Sequence, residues 1–136
     1  MISPLRLTPA SLASLTLLFL TALIHFRDVP SKLSETPPLG WMYILLVAGC
    51  SAAGAWLLSD RWRLGYLLGA LICGGAVLAY SLTRTIGLAG SSKDDIGNWF
   101  EPAGVVSLII ELSFVGLAVL ELRRPQRRPT AAQEMR

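Results

Sequence analysis

"PAGVVSLIIELSFVGLAVLE", residues 102–121, decides the fold. It is twenty residues of nearly unbroken apolar character with one carboxylate, Glu111, near its middle. A helix of about 20 apolar residues crosses the hydrocarbon of a bilayer. Backbone groups in lipid must pair internally, so such a run reads as a helix and not as an open strand.

Three more runs of the same kind precede it. They are 8–26, "TPASLASLTLLFLTALIHF"; 40–59, "GWMYILLVAGCSAAGAWLLS"; and 64–83, "LGYLLGALICGGAVLAYSLT". The chain has 136 residues, 53% hydrophobic and 15% charged. A soluble domain carries about 25% charged residues. The fold expected is all-α, a bundle of four transmembrane helices over residues 1–122, followed by a basic tail, 123–136, whose composition predicts disorder. Pro9 and Pro102 suit the first turns of the first and fourth helices, and Glu101 is placed to cap the fourth. The first run is long and lacks an A-x-A-like cleavage site, so it reads as a retained helix and not as a signal peptide.

Lys and Arg set the expected orientation. Arg6, Arg61, Arg63, Arg123, Arg124, Arg127, Arg128 and Arg136 fall on the side of the termini. Arg27, Lys32, Arg84 and Lys93 fall on the other. The positive-inside rule puts both termini in the cytoplasm and faces the loops 27–39 and 84–101 outward. Aromatics agree: Phe26, Trp41, Tyr43, Trp99 and Phe100 at the outer interface, and Trp56, Trp62 and Tyr66 at the inner one. The net charge of +3 gives no reason for a nucleic-acid partner; the partner expected is the lipid bilayer.

The turn "DRWR", 60–63, makes the second and third helices antiparallel neighbours. Both carry small residues four apart: Gly65 and Gly69, Ala70 and Gly74, Gly49 and Ala53, Ser51 and Ala55. Such stripes let helix backbones approach closely. They serve either packing within the chain, which is favoured, or a homo-oligomer. Cys50 and Cys73 lie in apolar runs without a CxxC spacing and read as small packing residues.

A mid-membrane carboxylate is expensive and turns to the bundle interior toward partners. Gly104, Ser107 and Ala118 share the face of Glu111. Tyr80 and Arg84 on the third helix, and Thr21 and His25 on the first, are aligned on stripes leaning toward the same level. The cluster expected is therefore Glu111, Arg84, Tyr80, His25, Thr21 and Ser107, with Tyr80 the direct contact of Glu111. Above it the stretch "RTIGLAGSSKDDIGNWFEP", 84–102, reads as a packed outer cap with Trp99 and Glu101. Asp94 and Asp95 in that cap read as solvated turn residues. His25, the only histidine, reads either as a residue bonded to the first loop or as a metal ligand with Asp28, Glu35, Asp94, Asp95 or Glu101. No pattern of an activated nucleophile, a P-loop, a zinc motif or a dinucleotide fold is present, and no cofactor is indicated.

Residues 80–111, "YSLTRTIGL" through "GNWFEPAGVVSLIIE", resemble a block in small bacterial four-helix membrane proteins of unassigned function. That block reads Y-x-x-S-R-T-[VI]-G-L-P-G, then D-x-G-x-W-x-E-P-x-G-x-x-S-L-x-x-E. Arg84, Thr85, Gly87, Leu88, Gly90, Trp99, Glu101, Pro102, Gly104, Ser107 and Glu111 match, and Ala89 stands where the pattern expects Pro. His25, Pro30 and Glu35 match a second element, in which Lys32 replaces a histidine. The resemblance implies a bacterial cytoplasmic membrane and names no activity. The leading functional expectation is a non-enzymatic accessory or interaction subunit of a membrane complex. The alternatives are a small carrier or proton relay using Glu111, and metal or cofactor binding near His25.

Overall fold

A computed structural model describes residues 7–88, 91 and 93–125. It contains four long helices: α1 (Pro9–Glu35), α2 (Pro37–Leu57), α3 (Trp62–Thr85) and α4 (Pro102–Arg123), with a single 3-10 turn at Lys93–Asp95 before α4. Each of the four is long and apolar enough to cross a membrane. Of the expected tail, Arg123 is the last residue of α4 and Arg124 its C-cap; residues 126–136, with Arg127, Arg128 and Arg136, lie outside the described residues, as does Arg6.

Helix ends follow local chemistry. Thr8 caps α1 through a reciprocal pair with Ser11: Ser11 N–H donates to Thr8 Oγ1 at 3.1 Å, and Thr8 N–H donates to Ser11 Oγ at 2.8 Å. Pro37 and Pro102 open α2 and α4 within their first turns. Glu101 occupies the N-cap of α4, but its side chain makes no capping bond. The expected cap is corrected, because its carboxylate is drawn to Arg84.

The expected loop 27–39 is also corrected. α1 runs nine residues beyond Phe26, straight through Pro30, and only Thr36 separates it from α2. Pro30 removes one backbone donor, yet packing holds the extension: Leu33 lies so close to Gly40 that any Cβ there would meet it at 2.7 Å. The break falls at Thr36 because a residue before proline is driven out of the α region; its φ of −142° and ψ of 76° show this.

Contacts fix the topology. Gly54 meets Leu15 and Gly40 meets Leu33, so α2 runs antiparallel to α1. Gly65 meets the Leu57 amide and Ala53 carbonyl, so α3 returns along α2. Arg63 donates to the Leu122 carbonyl at 3.2 Å, while Tyr80 packs on Gly104, so α4 runs against α3. α4 also packs on α1, closing the ring. The result is an up-down-up-down bundle. Its proximal end carries Leu7, the α2–α3 turn and Pro125; its distal end carries Thr36 and the α3–α4 strap.

The bundle is apolar outside and partly polar inside. Phe19, Leu45, Leu71, Leu78, Ile109 and Leu120 are exposed, whereas Ser14, Thr21, Ser107 and Glu111 are buried. A soluble monomer rarely exposes apolar patches beyond a few hundred Å²; lipid is the solvent that fits this surface. The core of the proximal half is Leu18, Cys50, Ala53, Leu57, Tyr66, Cys73, Phe114 and Ala118. Both cysteines are free. Tyr66, expected at the interface, belongs to this core: its hydroxyl lies 3.2 Å from Ser14 Oγ and its ring is 6.2 Å from that of Phe114.

The small residues act mainly inside the chain. Gly65 lets α3 touch the backbone of α2, and Gly69 leaves room for the ring of Phe114. Gly74, expected to share that role, faces open space: a Cβ there would meet nothing within 4 Å.

Candidate functional site: a buried histidine–carboxylate pair under a cavity

Glu111 is 2% exposed and finds two partners for one oxygen. Ser107, one turn earlier on α4, donates its hydroxyl to Oε1 at 2.7 Å. His25 Nε2, from α1, lies 2.9 Å from the same Oε1. Tyr43 of α2 packs edge-on against the imidazole, with ring centroids 4.8 Å apart at 72°. Three helices thus hold the pair. An ionised Glu111 accepts from the Nε2–H of His25; a protonated Glu111 donates to a bare Nε2. The pair therefore keeps its bond while carrying or releasing a proton.

The expected partner of Glu111 was Tyr80; the structure replaces it with His25. The Tyr80 ring packs against Gly104 through Cε2, Cζ and its hydroxyl, in space any side chain there would fill. Its hydroxyl passes beyond Glu111 and donates to the Trp99 carbonyl at 3.0 Å. Thr21 is fully buried, yet its hydroxyl makes no hydrogen bond to the pair. His25 bonds Glu111 and not the first loop, since that loop is helix.

Arg84 was expected to lean toward Glu111 and instead turns to the strap. Its guanidinium, 6% exposed, donates to Asp95 Oδ1 at 2.6 Å through Nη1 and to Glu101 Oε2 through Nη2. Its Cζ sits 4.8 Å from the centroid of the Tyr80 ring. Asp95 is thus paired, not solvated; Asp94 is exposed. Backbone geometry supports the strap: Gly87 and Gly97 take φ values of +78° and +84°, which other residues rarely adopt. The Gly97 amide donates back to the Arg84 carbonyl at 2.8 Å. Trp99 packs against Tyr80, with centroids 6.3 Å apart, while Phe100 projects outward.

Between the pair and the strap lies a cavity of about 540 Å³. Small ligand sites run roughly 300–1,000 Å³. His25, Ser107 and Glu111 form its floor, and Arg84, Asp95 and Glu101 its distal rim. Leu39 and Leu46 supply apolar wall, and Gly75, Ala76 and Ala79 of α3 leave the space. Among the sequence-derived candidates, Tyr80 lines the cavity as well, while Thr21, Trp99 and Asp94 do not.

Two contributors escaped the sequence, Tyr43 beside the imidazole and Lys32 in the wall, and Asp28, considered there only as a metal ligand, lines the wall as well. Reading 27–39 as loop hid the place of the latter two; at helical spacing, Asp28 and Lys32 fall on the face of His25. Among the described residues, no three His, Cys, Asp or Glu side chains are grouped to hold a metal ion.

Compared with family models, curated proteins and solved structures, the chain matches none of them.

Proposed function

We propose that the chain is a small membrane carrier or proton relay whose working group is Glu111. The observation that carries this is the buried His25–Glu111 pair standing as the floor of a cavity that reaches the distal end. A carboxylate kept in a membrane interior at such expense marks a pathway or a binding site. The two groups share one proton position, which suits exchange with a ligand or with water. Below the pair, Leu18, Tyr66 and Phe114 close the proximal half. The arrangement corresponds to one state of alternating access, open distally and shut proximally. With both termini in the cytoplasm, as the arginine distribution argues, the open side faces away from it.

An accessory subunit of a larger complex was favoured on sequence because no reactive group was evident. A histidine–carboxylate pair beneath a cavity supplies such a group and moves the balance to the carrier. The resemblance of residues 80–111 to a block in small bacterial membrane proteins fits either role, and a bacterial cytoplasmic membrane is the setting it suggests.

Proton flux into liposomes loaded with a pH-sensitive dye tests the proposal. Wild type is expected to conduct under an imposed membrane potential, and Glu111→Gln to lower the flux at least tenfold. Flux indistinguishable from empty liposomes, or equal in wild type and Glu111→Gln, would overturn it.

A further inference from the structure

The cavity does not open only at its distal rim. Its wall includes Met42 and Leu45 of α2 and Leu71 and Gly75 of α3, all exposed on the apolar flank of the bundle. α2 and α3 are in close contact proximally, where Gly65 touches the α2 backbone and Ile72 fills the space beside Gly49. Beyond that contact, a Cβ added at Gly75 would point into open space, with no other atom within 4 Å. Large side chains on α2 thus face small ones on α3 across a gap that meets lipid. A molecule dissolved in the bilayer reaches the cavity sideways through it.

Charge narrows the class of that molecule. The charged groups lining the cavity are four carboxylates, Asp28, Asp95, Glu101 and Glu111, against two cations, Lys32 and Arg84. Neighbouring partners do not reverse the balance. Arg27 Nε pairs with Asp28 at 3.1 Å and Lys32 Nζ lies 3.9 Å from Glu35. Arg84 is shared between Asp95 and Glu101. After these pairings one carboxylate remains in excess at the rim. At the floor, Glu111 contributes a second negative charge when it is ionised beside a neutral imidazole. An anionic headgroup would meet net repulsion, because the guanidinium is already spent on two carboxylates and Lys32 is balanced by Glu35.

Resting on the carrier reading above, we infer that the ligand is a lipophilic organic cation, entering between α2 and α3 and placing its charge against Glu111. The apolar body lies on Leu46 and Ile72, and the acidic rim holds the positive charge on the distal side of the strap as it enters or leaves. Electrostatic complementarity across a low-dielectric cavity selects by sign more than by shape, so two ions of one shape and opposite charge separate the cases.

The test is equilibrium dialysis of the purified full chain in detergent with tetraphenylphosphonium, using tetraphenylborate as the anion of matched shape. Tetraphenylphosphonium is expected to bind saturably and tetraphenylborate at least tenfold more weakly. Glu111→Gln is expected to weaken the cation at least tenfold. Gly75→Leu fills the lateral gap without touching the pair, and is expected to weaken binding while the protein melts as wild type. Equal binding of the two ions, or an unchanged cation affinity in Glu111→Gln, would overturn the inference. Proton flux separates the two levels of failure. Flux that depends on Glu111 without tetraphenylphosphonium binding overturns the ligand class and leaves the site standing; loss of both overturns the site as well.

Discussion

Arg84→Met is expected to destabilise the protein by about 2–4 kcal/mol and to release the strap. Charge-assisted hydrogen bonds contribute roughly 1.5–3 kcal/mol each, and Arg84 makes them to both Asp95 and Glu101. The loss stays below the sum because Asp95 and Glu101 are partly exposed, 34% and 47% at the side chain, and rehydrate once the guanidinium is gone. Arg84 also covers the face of Tyr80, so its removal loosens the ring that fills the space over Gly104. Arg84→Lys keeps the charge without the planar fork and is expected to lose about half as much. The measurements are denaturant titration in detergent and limited proteolysis between residues 86 and 100. Wild-type stability with an uncut strap in Arg84→Met would show that the two ion pairs do not hold the cap.

The second large effect concerns the buried pair. Glu111→Leu leaves the His25 ring nitrogen and the Ser107 hydroxyl without their shared acceptor. His25→Leu leaves Glu111 with Ser107 as its remaining hydrogen-bond partner in an apolar interior. Each single change is expected to cost about 2–4 kcal/mol, since removing one member of a buried pair strands the other. Replacing both by Leu removes the stranded group, so the double variant is expected to be about 1–3 kcal/mol more stable than the sum of the singles implies. The same double variant is expected to carry no proton flux. Recovered stability without recovered flux separates a working group from a merely structural one. Additive singles would mean that His25 and Glu111 do not interact.

The four helices were legible because lipid imposes one rule on every residue of a span, and apolar runs of the required length declare themselves. The close approach of α3 to α2 was legible in the same way, from Gly65 and the short turn after Leu57. Partner choice was not. His25, Tyr80 and Arg84 all lean toward the level of Glu111, and sequence spacing cannot rank them. The ranking came from a glycine, Gly104, which lets Tyr80 pack against α4 and carry its hydroxyl to the Trp99 carbonyl. It came also from Asp95 and Glu101, which the strap brings to Arg84. The end of α1 was not legible because the apolar run stops at Phe26, before the charged Arg27 and Asp28, whereas the helix runs on until Thr36, ahead of Pro37, ends it. The cavity escaped because emptiness between helices has no residue pattern beyond the small side chains at 75, 76 and 79.

His25 is the only histidine in the chain, so protein labelled with ¹⁵N-histidine gives the ring signals of one imidazole. Their shifts report directly whether Nε2 is bonded to a carboxylate. In wild type, Nε2 is expected to show the shift of a ring nitrogen hydrogen-bonded to Glu111, and Glu111→Gln is expected to move it by several ppm. Coincident imidazole spectra for wild type and Glu111→Gln would contradict the pair, and with it the site built upon it.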